Sequence, residues 1–254
     1  MLTRVVTRPS FGLTGGWGSP KLDLAGCVLY APLWRPDQAG SPFTSKPPIP
    51  HLATVTGALW TPQGRTFDGT DDFISAGNAA PLDTLAGAFS LEVWFKPTSL
   101  GGNSKGIITK GDLVNTQTPA SFSLTQGQIV AGDAKGLNVF VMDDTNDARI
   151  GYGADNVFTA GYWYHLVSTY SGGTTTSSTK LYANGVLLPV DTDNAGGVFV
   201  SMTSSTHNLN LGRALVNAAY VYNACTIGEV RVYTRALTIL EIQRNYLATK
   251  WRYQ

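Results

Sequence analysis

Glu92, Glu229 and Glu241 are the chain's three glutamates, and its other fourteen acids are aspartates. Glycoside hydrolysis needs an acid and a base or nucleophile on opposite sides of one bond. Glu92 and Glu229 each stand alone in a strand-like segment, and no Glu-x-Asp-x-Glu pattern occurs. The expected role of Glu92 is pairing with Arg231, provided their strands are neighbours and share a face. No Gly-x-Ser-x-Gly nucleophile elbow is present. The three histidines, His51, His165 and His207, show no zinc-ligand spacing with the two cysteines. These observations lead to the expectation that the chain is not an enzyme.

Hard-cation binding is the other chemistry that carboxylates offer. Asp68, Asp71 and Asp72 lie within five residues at a turn. Calcium takes six to eight oxygens, some of them backbone carbonyls. The same cluster also reads as a turn without metal. Asp143, Asp144 and Asp147 read as a hairpin tip. Cys27 and Cys225 are too few for a disulfide scaffold; they read as two buried thiols, with one bridge open if the first and last strands lie side by side.

Sugar binding needs an aromatic face and hydrogen-bonding side chains. Trp94, Tyr170, Tyr182 and Tyr233, with Asn184 and Arg213 near loop ends, are the candidates; the competing reading packs these aromatics into the core. The net charge is +1 and no basic stripe is present. Nucleic acid is therefore not an expected partner. No stretch reaches the roughly 18 apolar residues that span a bilayer, so no membrane partner is expected either. Residues 1–20 carry Arg4 and Arg8 but no continuous apolar run, so no secretory signal is read there.

The elements that must position these residues are short strands. Charged residues are 14% of the chain and 28 glycines punctuate it. Such a composition suits strands and loops better than helices. In AFSLEVWFK, Phe89, Leu91, Val93 and Phe95 face one way, and Ser90, Glu92, Trp94 and Lys96 the other. Further strands are expected at 27–34, 53–60, 65–67, 72–76, 106–110, 121–125, 137–142, 148–152, 162–170, 179–183, 186–190, 209–212 and 226–233. Many short strands with regular turn signals mean a sandwich or barrel. Asn184-Gly185 predicts a type I′ hairpin turn, which needs positive φ at both positions. Thr238 and Glu241 form a capping box, and Ile239, Ile242 and Tyr246 recur at helical spacing, which predicts one helix over about 239–249. Residues 1–22 lack periodicity and read as an extended arm before a single domain at 23–254. The arm combines Arg4, Arg8, Phe11 and Trp17. It is expected either to wrap its own domain or to add a strand to a neighbouring subunit.

Six segments, in order, resemble the laminin-G-like family in its concanavalin A-like form. They are RTFDGTDDFISAG (with Phe67, Asp68 and Gly69), FSLEVWFKP, IITKGD, GYWYHLVSTYSG (with Trp163 and His165), LYANG, and IGEVRVYTRALTILEIQ. The resemblance covers about residues 24–250. It implies an all-β fold: a two-sheet antiparallel jelly-roll sandwich with one C-terminal helix. It implies a packed, structural His165. It also implies a calcium site near the sandwich rim that joins Asp68 to a group near Glu229. The family usually has Asp before this glutamate, and Gly228 stands there instead. The cofactor expectation is therefore none, or a structural calcium ion held by Asp68, Asp71, Asp72 and Glu229.

The fold hosts lectins, glycanases, adhesion modules and structural proteins, so function has to come from a site. The leading expectation is a non-catalytic surface or assembly module. Related single-domain proteins occur among phage structural proteins. The expected place is therefore a virion surface, as head decoration, fibre or tail-associated protein. Its partners would be further copies of the chain or capsid proteins held through the arm, and surface glycans. The alternatives are a calcium-assisted extracellular lectin module and, after it, a glycanase.

Overall fold

The computed structural model describes residues 21–254 except 84, 101–104, 114–120, 128–135, 190–191 and 194–195. Arg4, Arg8, Phe11 and Trp17 of the expected arm lie outside the described residues. Two large antiparallel sheets face each other. The first runs in the order Val186–Leu187, Thr179–Ala183, Tyr164–Tyr170, Phe89–Pro97, Ala224–Tyr233, Gly64–Asp68 and Leu59–Thr61. Cys27–Ala31 also pairs with Ala224–Tyr233 in this sheet. The second runs in the order Thr192–Asp193, Ala148–Ala154, Leu137–Asp143, Phe122–Gln126, Lys105–Lys110, Leu209–Leu211, Phe73–Ser75, Leu52–Thr56 and Phe43–Thr44. The architecture is the expected antiparallel sandwich with a C-terminal helix.

The core lies between the sheets because each strand sends alternate apolar residues inward. Phe89, Leu91, Val93 and Phe95 meet Leu124, Val139, Val141 and Ile150 there. Each such side chain contributes about 1.5–3 kcal/mol on burial. Cys225 joins this core, while Cys27 sits in a separate apolar cluster with Tyr233 and Ile242. Both cysteines are free.

The helix runs Ile239–Thr249 and packs on the outer face of the first sheet. Thr238 Oγ1 accepts from Glu241 N, and the Glu241 carboxylate accepts from Thr238 N at 2.7 Å. A 3-10 turn, Lys250–Arg252, follows directly. The Asn184-Gly185 turn has φ of 52° and 79°, as a type I′ turn requires. Asp144–Asp147 connects Leu137–Asp143 to Ala148–Ala154 and is the expected hairpin tip. One hairpin was not anticipated: Arg213–Val216 pairs with Ala219–Tyr222 through Asn217 and Ala218.

Candidate functional site

Alternation along Phe89–Pro97 turns Ser90, Glu92, Trp94 and Lys96 away from the inter-sheet core. Arg231 stands opposite Glu92 on one neighbouring strand, and His165 opposite Trp94 on the other. A bulge between Ile227 and Glu229 resets the alternation. Ile227 and Val230 therefore both enter the core, while Glu229 and Arg231 both face outward under the C-terminal segment.

The result is a buried polar network. Glu92 Oε1 accepts from His165 Nε2 at 2.7 Å and from Arg231 Nη1 at 2.9 Å. Its Oε2 accepts from Tyr233 Oη at 2.9 Å and from Asn245 Nδ2 at 3.0 Å. Arg231 Nη2 also donates to Glu229 Oε1, and Glu229 Oε2 accepts from Trp34 Nε1 at 3.2 Å. Burial alone would raise the Glu92 carboxyl, but Arg231 and the His165 and Tyr233 hydrogen bonds outweigh it and bring it down to about 2. Burial opposes the charge on Arg231, and Glu229 and Glu92 more than offset that opposition. Glu92, Arg231 and Glu229 thus form one charged unit beneath the helix. This is the expected Glu92–Arg231 pairing, with His165 packed as expected.

The network holds an aromatic layer above it. Trp94 stacks on Tyr253 with centroids 4.4 Å apart, and Tyr253 meets Trp163 at 4.7 Å. Gly228, at the bulge, makes room for this ring, because a Cβ there would lie 2.6 Å from Tyr253 Cζ. Lys96 Nζ sits 5.1 Å from the Trp163 ring centroid. Trp34, held by Glu229, carries the Arg252 guanidinium at 3.3 Å from its centroid. Arg252 also lies 4.4 Å from the Trp251 ring. Trp251 is 68% exposed, and its Nε1 donates to Ala248 O at 3.0 Å. Trp60 joins the edge of this surface through Nε1, which donates to Arg35 O at 3.1 Å. Trp34, Trp60 and Trp163 are half-buried, so Trp251 is the exposed ring of this face.

The sequence candidates fall elsewhere. Trp94, Tyr170 and Tyr182 are 0%, 2% and 5% exposed, so the expectation that they stack on sugars is corrected. Each is covered: Trp94 by Tyr253, Tyr170 against Phe89, and Tyr182 in the apolar cluster under the helix. Tyr182 also lines a groove of about 450 Å³, with Thr169, Lys180, Leu187, Leu237 and Ile239. Asn184 holds the hairpin turn, where its Oδ1 accepts from His165 N at 2.9 Å. Arg213 is sandwiched between Phe73 and Tyr220, 3.3 and 3.9 Å from their centroids, at the unanticipated hairpin. Its guanidinium also donates to Asn210 Oδ1 at 3.1 Å. Trp34, Trp163, Trp251 and Arg252 were not among the candidates.

The acidic turn is assembled as expected, with ligand atoms of Asp68, Asp71 and Asp72 within 4.8 Å of one another. Glu229 does not join them. Its two oxygens serve Arg231 and Trp34, and Asp68 is in register with Ala224, five residues along the same strand. The expected four-residue calcium set is corrected accordingly. Asp72 is also committed: Oδ2 accepts from Asp68 N at 2.9 Å, and the rest of the carboxylate packs against Gly57. Burial raises the Asp72 carboxyl, and Asp68 and Asp71 raise it further. Two exposed carboxylates remain, which does not fit a closed cage of six to eight oxygens. The donors present fit a hydrogen-bonded turn.

A family profile, the concanavalin A-like lectin/glucanases superfamily, matches residues 68–243. No curated protein sequence matches the chain. Among solved structures, a Trypanosoma rangeli sialidase mutant displaying trans-sialidase activity is similar at TM-score 0.60 and 17% identity. That match covers 92% of this chain and 34% of the sialidase, so the chain spans about a third of the sialidase's length. Domain 4 of AbnA, a GH43 extracellular arabinanase from Geobacillus stearothermophilus, in complex with arabinotriose, is similar at TM-score 0.57 and 18% identity. That match covers 87% of this chain and 98% of the domain. At these identities the likeness is one of fold. The expectation that the chain is not an enzyme is nevertheless overturned, because chains sharing its sandwich come from a sialidase and an arabinanase. Missing sequence patterns do not exclude catalysis on a fold that enzymes and non-enzymes share. With more than half of its length matched by the family profile, the chain belongs to the concanavalin A-like lectin/glucanase superfamily.

Proposed function

We propose that the protein binds carbohydrate, and that the binding face is the indole platform of Trp34, Trp163 and Trp251 with Arg252. The observation that carries this reading is the exposed Trp251 ring, locked edge-on by its hydrogen bond to Ala248 O and backed by a guanidinium that also stacks on Trp34. The face of a pyranose or furanose ring presents weakly positive C–H groups, which pack flat on the electron-rich face of an indole. The indole N–H groups of Trp34 and Trp251 are already bound within the protein, and Arg252 covers a face of Trp34, so Trp251 is the ring that offers its face. Rings held in advance lose little entropy on binding. The superfamily and the arabinotriose complex of the arabinanase domain support the same reading.

The test is a glycan array followed by calorimetric titration of the sugars retained. Trp251→Ala should weaken binding about tenfold or more, the usual loss for a central aromatic anchor, while the thermal midpoint stays within a few degrees. Unchanged affinity in that variant would remove the platform from the site. The virion reading depends on an arm that lies mostly outside the described residues, and no described geometry favours it.

A further inference from the structure

We infer that the glycan taken by this platform is acidic, a sugar bearing a carboxylate such as a uronic acid. The inference rests on the reading of the platform as a carbohydrate site and concerns its charge. Four cations lie against the rings of this face: Arg35 by Trp34, Lys96 by Trp163, Lys250 by Tyr246 and Arg252 by Trp34 and Trp251. The acids at this face are already engaged. Asp37 takes hydrogen bonds from both Arg35 and Lys46. Glu229 is buried, with one oxygen on Arg231 and the other on Trp34. Glu92 is sealed beneath the helix.

Arg252 is the informative group. Its guanidinium lies against two indole rings, at 3.3 Å from Trp34 and 4.4 Å from Trp251, and has no carboxylate partner among the described residues. Stacking uses the faces of the guanidinium and leaves its N–H edge free for a planar anion. Lys96 is placed similarly over Trp163, with only a long, 3.5 Å contact to Gln63 Oε1. Lys250 sits 5.6 Å from the Tyr246 ring. A fold that needed Lys96, Lys250 and Arg252 only for stability would pair them with acids, as it does for Arg35, Arg231 and Arg235. Here they are held by aromatic faces, beside a ring that a sugar can cover. A sugar stacked on Trp251 would bring its ring substituents to the guanidinium edge, and the complementary substituent is a carboxylate.

The experiment titrates the full chain with trigalacturonate and, separately, with neutral arabinotriose. The expected result is that trigalacturonate binds at least about tenfold more tightly at low salt. This preference should shrink as sodium chloride is raised to about 0.5 M, where surface charge is screened. Arg252→Gln should bring the ratio of the two affinities close to one. Because Arg252 packs on Trp34, Lys96→Gln is the second variant. It leaves that stack intact and should reduce the preference several-fold. Equal affinity for the two trisaccharides overturns the inference, as does a preference that survives both substitutions. Trp251-dependent binding of the neutral sugar without an acidic preference would defeat this inference alone. Binding of either sugar that ignores Trp251 would defeat the platform itself.

Discussion

Gly228 shows how one missing side chain can organise the outer face. It sits in the bulge between Ile227 and Glu229, and the Tyr253 ring lies where a Cβ would project. Its φ is not in the left-handed region, so space and not backbone strain demands glycine here. Gly228→Ala should therefore push Tyr253 away from Trp94 and disturb the seat of Arg252. The cost expected for such overpacking is about 1–3 kcal/mol. Urea denaturation with tryptophan fluorescence would measure both the destabilisation and the changed Trp94 environment. A variant as stable as the wild type, with unaltered fluorescence, would refute this account. The sequence marked Gly228 as a departure from the family pattern but gave no reason for it. The reason lies 25 residues away, in a tyrosine that reaches it only through the path of the C-terminal turn.

The helix Ile239–Thr249 was readable because everything that starts it is local. Thr238, Glu241 and the spacing of Ile239 and Ile242 lie within five residues, and the cap forms as those residue types suggest. Glu241 does more than cap, since it also accepts from Arg235 Nη1 at 2.9 Å. Thr238→Ala removes the Oγ1 that receives Glu241 N and should cost about 1 kcal/mol. Because the helix covers the Glu92 network, that variant should also expose His165 and Asn245 amides to faster hydrogen exchange. Unchanged exchange at both amides would show that the cap does not govern how the lid opens. The hairpin Arg213–Tyr222 shows the opposite case. Its turn is Asn217-Ala218, with φ of 50° and 61°, and alanine at positive φ gives no sequence signal. The turn is held instead by Asp112, 105 residues earlier, whose carboxylate accepts from Asn217 N at 3.0 Å and Ala218 N at 2.7 Å. Local chemistry marks an element in sequence, and remote support does not.

At the scale of the molecule, the same distinction divides the fold from the site. Alternation in Phe89–Pro97 was enough to place Glu92 outward, because the pleat repeats every two residues, while its pairing with Arg231 also needed the two strands to be neighbours. It could not show that Trp94 would be covered, since its lid, Tyr253, belongs to the last turn of the chain. Trp34 and Arg252 are 218 positions apart and meet only when the sandwich is closed and the helix docked. The closed network also predicts how the whole molecule responds to acid. The Glu92 carboxyl lies at about 2 in the fold, below its ordinary 4.5, and Glu241 at about 2 as well, held down chiefly by Arg235. A depressed folded value means that the unfolded chain takes up these protons first as pH falls. The stabilisation is therefore complete above pH 4.5 and is lost progressively between 4.5 and 2. Unfolding free energy measured by urea titration should be insensitive to these two groups from pH 8 to 5, then fall steeply below 4.5. In Glu241→Gln the fall should be shallower, because one of the two linked protons is gone, while Glu92 still drives the remainder from beneath the helix. A stability profile with the same slope in both proteins below pH 4.5 would contradict the assignment of Glu241, and a flat profile in the wild type would contradict both.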